Sequence, residues 1–383
     1  MYKISRRRLL ALIGGGSAVA VGGASRPLGA SPESARGISL QTRLTTEYGV
    51  QYPLVGAGMA FVALPELVAA ISEAGGIGVL GAAPEPPPVV TARIRDIRSR
   101  TAELFGVDFI IGGEPPFGPF TTDAHIDACV AERVPLVVFH WSLPPAHWIA
   151  RLRAAGTRVW AQVGSVEDAR QAAALGVDAI IAQGSQAGGH VRSITRTIEL
   201  VEEVVAAVRP TMVLAAGGIA DGDAVVEALA AGAEGVWVGT RLVASTEAYA
   251  HPEYKERLVR ATGRHATALT TLFGPEWPGQ RQRVLRNRVV AEWAGRESEV
   301  PTPPPPPPVV GVTVLAPGVL NVPHAMPKFS AAIPTRDTVG DLEEMDMPAG
   351  EKSVKQIKSV MPAREIVVEM MEEARAIILQ KLA

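Results

Sequence analysis

From residue 53 onward the chain alternates short, almost wholly apolar runs with longer stretches whose apolar positions recur every three or four residues. The short runs at 53–57, 77–81, 107–112, 136–140, 158–163, 179–182, 212–216 and 235–238 lack apolar–polar alternation, so they predict strands covered on both faces. Between them, 64–73, 87–100, 122–132, 146–154, 166–174, 199–208 and 221–230 predict amphipathic helices. Gly75, Gly156, Gly176 and Gly232 each stand between a helix and the next strand. Glycine there ends a helix in the left-handed conformation at little cost. Eight strand–helix alternations predict an α/β protein, a (β/α)8 TIM barrel over 38–262. A doubly wound open sheet satisfies the same strand count, because a count does not show closure.

After residue 250 the rhythm breaks. Residues 263–300 have helical stretches with no strand partners, and 303–308 are six consecutive prolines, which predict an extended polyproline II spacer. Such a run also suits an SH3-type partner. Residues 309–345, rich in Pro, Gly and Val, are expected to wrap the barrel or cover its mouth, making 263–345 an irregular proline-rich insertion or lid. The segment 346–383 is a C-terminal helical segment, with 363–381 placed to dock as the last barrel helix.

Composition narrows the function classes. The 383 residues are 47% hydrophobic and 20% charged with a net charge of −2, and no basic stripe follows residue 30, so nothing points to nucleic acid. Cys129 is the only cysteine, which rules out an internal disulfide and a cysteine metal cluster. The N-terminus stands apart. Ser5-Arg6-Arg7-Arg8-Leu9-Leu10 precedes a weakly apolar run too short to span a bilayer, and the paired arginines resemble a twin-arginine export signal over 1–30. A disordered basic tail or an uncleaved anchor is the alternative. Removing 1–30 takes away five basic residues and no acids, leaving 32 basic against 39 acidic residues and a net charge of −7. The expectation is a protein handed folded to the twin-arginine export machinery, periplasmic, with an oligomer possible and no stable membrane span.

Barrel active sites lie at the C-terminal ends of the strands. There the seventh and eighth candidate strands are followed by Gly217-Gly218 and Gly239-Thr240. Bare backbone N–H groups on glycine turns approach an anion closely, so the two loops predict a phosphate cradle; read structurally they are tight turns. The sixth is followed by Gln183, then Gly188-Gly189-His190, which presents an imidazole over the mouth as a general base, although a lone His is more often structural. Ala57-Gly58-Met59 after the first strand suits a backbone lying along a flat ring, or simple core packing. His140, Trp141 and Gln162 point to the same mouth. Gly76–Gly81 matches G-x-G-x-x-G but enters a strand instead of leaving one, so it lacks a dinucleotide-binding context. His140, His147 and His190 have no metal-ligand spacing, and no metal is expected.

These residues together resemble the nitronate monooxygenase family, FMN-dependent barrels. The resemblance runs from about residue 45 to 255 on four blocks: 67–80 (LVAAISEAGGIGVL), 182–190 (AQGSQAGGH), 215–221 (AAGGIAD) and 239–255 (GTRLVASTEAYAHPEYK). It implies FMN phosphate on Gly188, Gly189, Gly217, Gly218, Gly239 and Thr240. Ala57, Gly58 and Met59 would flank the ring, with Gln183 near the flavin and His190 as catalytic base. Gln186 stands where the family usually has Glu, Val191-Arg192 replaces Arg-Gly, and Asp108 stands where Asn is frequent. The implied activity is oxidation of a small nitronate or nitroalkane by molecular oxygen to a carbonyl compound and nitrite. The rivals are an FMN-dependent NAD(P)H reductase of the same superfamily and a non-catalytic exported flavin-binding protein.

Overall fold

The computed structural model describes residues 40–112, 118–263, 265–274, 277–300 and 308–382. The export segment 1–30 and prolines 303–307 lie outside the described residues. Strands β1 (Leu54–Gly56), β2 (Gly78–Gly81), β3 (Phe105–Ile110), β4 (Leu136–His140), β5 (Arg158–Val163), β6 (Ala179–Gln183), β8 (Met212–Ala216) and β9 (Gly235–Val238) form one parallel sheet in the order β1-β9-β8-β6-β5-β4-β3-β2. A parallel bridge between Val55 and Ile77 joins its two edges, the Gly56 N–H donating to the Ile77 carbonyl at 2.9 Å. The sheet is a closed barrel, and the open-sheet alternative falls.

Alternate residues of each strand enter two different cores. Val138, Trp160, Ile181 and Leu214 fill the barrel interior, whereas Val137, Val159, Ile180 and Val213 pack outward against helices. Both sets are buried, so the strands read as unbroken apolar runs. Helix α1 (Arg43–Tyr48), capped by Thr42, plugs the floor with Leu44 and Tyr48. The Tyr48 hydroxyl accepts from the Trp160 indole N–H at 2.6 Å inside the barrel.

The outer helices are α2 (Pro65–Glu73), α3 (Pro87–Arg100), α4 (Asp123–Ala131), α5 (Ala146–Ala154), α6 (Val166–Ala174), α7 (Thr197–Val208) and α8 (Gly222–Ala231). All four glycines expected after helices have positive φ, from +81° to +113°. After β9 come the one-turn α9 (Thr240–Val243) and α10 (Pro252–Arg260). The final helix α12 (Ala363–Leu382) packs against α8 and α2, filling the eighth place in the ring.

Between α10 and α12 the expectation of helices without strand partners is wrong. Strands β10 (Thr267–Thr270) and β11 (Gln282–Leu285) pair antiparallel, and β11 also pairs with β7 (Gly189–His190) in the loop after β6. Helix α11 (Arg288–Glu292) is short. A pairing partner more than 90 positions upstream leaves no local periodicity to read. Residues 309–340, expected to be irregular, contain a three-stranded antiparallel sheet of β12 (Val309–Leu315), β13 (Val322–Pro327) and β14 (Val339–Gly340).

Candidate active site

The strand ends and the excursion after α10 enclose a cavity of about 410 Å³. Ala57, Gly58, Met59, Gln183, Gly188, Gly189, His190, Gly217, Gly218, Gly239 and Thr240 all line it, and so do His140, Trp141 and Gln162. The excursion contributes Trp277, Gln282, His324 and residues 330–333 to the wall, so it covers the mouth.

The three glycine turns converge, and a fourth turn joins them. A Cβ on Gly188 would lie 2.7 Å from the Gly350 nitrogen and 2.9 Å from Thr240 Oγ1. One on Gly217 would lie 2.9 Å from the Ala187 nitrogen. Gly350 donates its N–H to Thr240 Oγ1 at 3.0 Å. Gly189, Gly217 and Gly218 hold φ of +74°, +107° and +78°, which glycine adopts without strain. Gly350 and Ser353 were not foreseen, because nothing local marks a turn 110 residues beyond Thr240 as its neighbour. On the opposite side, the Ala57 N–H donates to the Val238 carbonyl at 2.9 Å, and a Cβ on Gly58 would strike Asp108 at 2.3 Å. The result is bare backbone across the end of β1. Gly76, Gly78 and Gly81 are packing glycines: a Cβ on Gly78 would sit 2.0 Å from the Val68 carbonyl oxygen of α2.

His190 lies in register with Gln282 across the β7–β11 pair. Its ring meets Trp141 edge-on at 5.3 Å and Trp277 at 5.3 Å. Burial pushes its pKa down to about 4, with nearby His140 acting in the same direction, so it is neutral at pH 7. His190 Nε2, both amide atoms of Gln282 and the Trp277 Nε1 are buried without a hydrogen-bond partner. Buried polar groups are ordinarily satisfied, so several orphans around one cavity mark a place for a polar ligand. Below them, Asp108 on β3 is buried and its Oδ1 lies 2.9 Å from His140 Nδ1. Burial holds this carboxyl above the usual range, while His140 pulls it down.

A family model described as nitronate monooxygenase matches residues 41–373. The chain belongs to the nitronate monooxygenase family. It is therefore an oxidoreductase. It is 30% identical over 299 residues to a probable nitronate monooxygenase of Staphylococcus aureus (strain Newman), covering 68% of this chain and 82% of that protein. Among solved structures it resembles FabK from Thermotoga maritima at a TM-score of 0.73 and 32% identity, covering 90% of this chain and 99% of that one. It also resembles nitroalkane oxidase from Streptomyces ansochromogenes at a TM-score of 0.70 and 27% identity, covering 89% and 100%.

Family membership extends past the four sequence blocks and takes in the excursion. Gln282 and Trp277, which the sequence reading did not single out, belong to it. Gln282 had one visible signal, a polar side chain in a run that ends Val284-Leu285. Among the described residues no cluster of His, Cys, Asp and Glu suits a metal ion, and no helix is long and apolar enough to cross a membrane.

Proposed function

We propose that this protein binds FMN and oxidises alkyl nitronates with molecular oxygen, giving a carbonyl compound and nitrite. The observation that carries the reading is that His190, Gln282 and Trp277, each with a buried side-chain nitrogen that has no hydrogen-bond partner, line one cavity beside a glycine cradle. A nitronate carries its negative charge on two oxygens, which is the charge and shape that neutral N–H donors accept.

The residues present fit the cofactor. Gly188, Gly217, Gly218, Gly239 and Thr240 would hold the phosphate on backbone amides, in a cradle where a Cβ on Gly188 or Gly217 would collide with neighbouring backbone. Ala57, Gly58 and Met59 would lie along the ring, and Gln183 beside it. When bound, FMN supplies the electron acceptor that the polypeptide lacks and the route from substrate to oxygen.

The chain's own part is binding, orientation and exclusion of water. His190 would take the α-proton of a neutral nitroalkane, or hydrogen-bond one oxygen of the nitronate, while the Gln282 amide donates to the other. Trp141 and Trp277 hold the imidazole in place and close the apolar side of the cavity.

The test starts from the absorbance spectrum of the purified protein, followed by anaerobic mixing with propyl-2-nitronate or with NAD(P)H. Bleaching of flavin absorbance by the nitronate supports the reading. Bleaching by NAD(P)H alone favours the reductase, exchangeable FMN without turnover favours the carrier, and a colourless protein that refuses FMN removes all three.

A further inference from the structure

Aromatic residues are scarce in this chain, at 5%, yet half of its six tryptophans, Trp141, Trp237 and Trp277, line the cavity. Two of them belong to a wall of four rings drawn from four segments. Trp277 meets His190 at 5.3 Å and Trp141 at 5.6 Å, and Trp141 meets His190 at 5.3 Å. Phe120, from the loop after β3, stacks on Trp277 at 5.1 Å with 25° between the planes. The wall starts at the imidazole and extends away from it. Phe120, Trp141 and Trp277 are only half-buried, whereas Trp160 inside the barrel is fully buried. Rings that merely packed around His190 would be closed off as Trp160 is.

The backbone is bent to hold this wall. Among the described residues, six other than glycine have positive φ, and two of them, Phe61 at +65° and Trp141 at +78°, line the cavity. A bulky residue enters the left-handed region only where its surroundings impose it. For Trp141 those surroundings are visible. Arg192 donates to its carbonyl and lays a guanidinium over the indole at 6.0 Å. Gly112 clears space for both indoles: a Cβ there would lie 3.0 Å from Trp141 Cδ1 and 3.8 Å from Trp277 Nε1.

The geometry points to a substrate class: nitronates whose carbon carries an aromatic ring, preferred over those with a saturated group of equal bulk. This rests on the proposed nitronate chemistry. With the nitronate oxygens at His190 and Gln282, a ring on the nitronate carbon lies beside the indoles that flank the imidazole. Ring faces are negative and ring edges positive, so aromatic pairs gain more than their buried area. The two indoles stand 60° apart, so a guest ring stacked on one meets the other at an angle. A flat aryl nitronate also has few rotors to freeze on binding. Phe120, Trp141 and Trp277 are thereby specificity-determining residues.

Redox-inert carboxylates separate recognition from turnover. Phenylacetate and cyclohexylacetate each present two anionic oxygens and a six-membered ring, and calorimetric titration of the FMN-loaded protein gives their Kd. Phenylacetate is expected to bind about 10-fold tighter or more, the worth of one or two aromatic pairs. Trp277→Leu should bring that ratio to within about threefold. Trp277→Phe, which keeps a ring and removes the N–H, should weaken both ligands together and keep the ratio. Phe120→Leu is the second variant, and it should lower the ratio by a smaller factor. A wild type that does not distinguish the two carboxylates overturns the inference, as does a ratio that survives in both leucine variants. The same ratio is then read in kcat/KM with phenylmethane nitronate and cyclohexylmethane nitronate. A protein that oxidises ethyl nitronate without any phenyl preference refutes this inference alone. One that prefers phenylacetate yet leaves every nitronate untouched refutes the nitronate chemistry and keeps the aryl site.

Discussion

Gly188→Ala isolates the cradle. Gly188 is not among the residues with positive φ, so alanine brings no backbone strain there. Its Cβ would arrive 2.7 Å from the Gly350 nitrogen, 2.8 Å from the Ala349 carbonyl carbon and 2.9 Å from Thr240 Oγ1. Two of the three are backbone atoms, so the turns at 188, 240 and 350 must move apart. Overpacking of this kind costs about 1–3 kcal/mol of stability. If one charge-assisted hydrogen bond to the phosphate is lost as the turns separate, at about 1.5–3 kcal/mol, FMN affinity falls roughly 10- to 150-fold. The affinity is read from quenching of FMN fluorescence on titration, and apoprotein stability from urea unfolding. Gly156→Ala is the control: it has φ +84° and no neighbour within 4 Å, so it should cost about 1–2 kcal/mol of stability while leaving FMN affinity unchanged. A folded Gly188→Ala protein that binds FMN within twofold of wild type refutes the phosphate assignment.

Three further outcomes are expected. His190 has a folded-state pKa of about 4 against an ordinary 6.5, so below 6.5 the unfolded chain binds a proton the native protein refuses. Stability should therefore fall by about 3 kcal/mol as pH drops from 7 to 4 on this account, and His190→Gln should flatten that slope in urea midpoints; an unchanged slope sinks the argument. Tyr48→Phe orphans the buried Trp160 indole and should cost about 1–3 kcal/mol in urea unfolding with turnover intact, so loss of activity at full stability would contradict the floor-plug role. The export reading predicts that replacing Arg6 and Arg7 by Lys leaves the protein in the cytoplasmic fraction, and periplasmic recovery of that variant would count against a twin-arginine route.

How much of this was legible in the chain depended on sequence distance. Strands β4, β5, β8 and β9 fall where the apolar runs place them, because Pro135, Thr157, Gly164, Thr211, Gly217 and Gly239 mark their ends and both faces of each run are largely buried. Strand β3 begins two residues earlier and ends two earlier than expected, since Phe105 and Gly106 continue the buried run while Ile111 and Gly112 already belong to the loop. The barrel loops could be read because a glycine turn after a parallel strand has one place to be. The pairing of β11 with β7, the Gly350 turn against Thr240, and the ring of unused N–H donors are contacts between positions about 90 to 140 apart, with no period or spacing to betray them. Asp108 was visible as a charge inside an apolar strand. Its partner was not, because adjacency of β3 and β4 places Asp108 beside Val138 and only the side chain reaches His140.

The excursion after α10 is best understood through what it does to His190. A barrel alone would leave the loop after β6 at an open mouth, where an imidazole keeps a pKa near 6.5 and changes charge within the working range of pH. Strand β11 pairs with Gly189–His190, brings the Gln282 amide beside the imidazole, and the same segment supplies Trp277 against its ring. Those contacts desolvate the ring, which is why it stays neutral, and they add the second and third N–H donors. Covering the mouth and setting the proposed anion-binding groups beside His190 are thus one event carried by one strand pair. A substitution that unpairs β11 from β7 is expected to lower nitronate affinity and raise the His190 pKa together, whereas a mere lid would change access and leave the imidazole as it was.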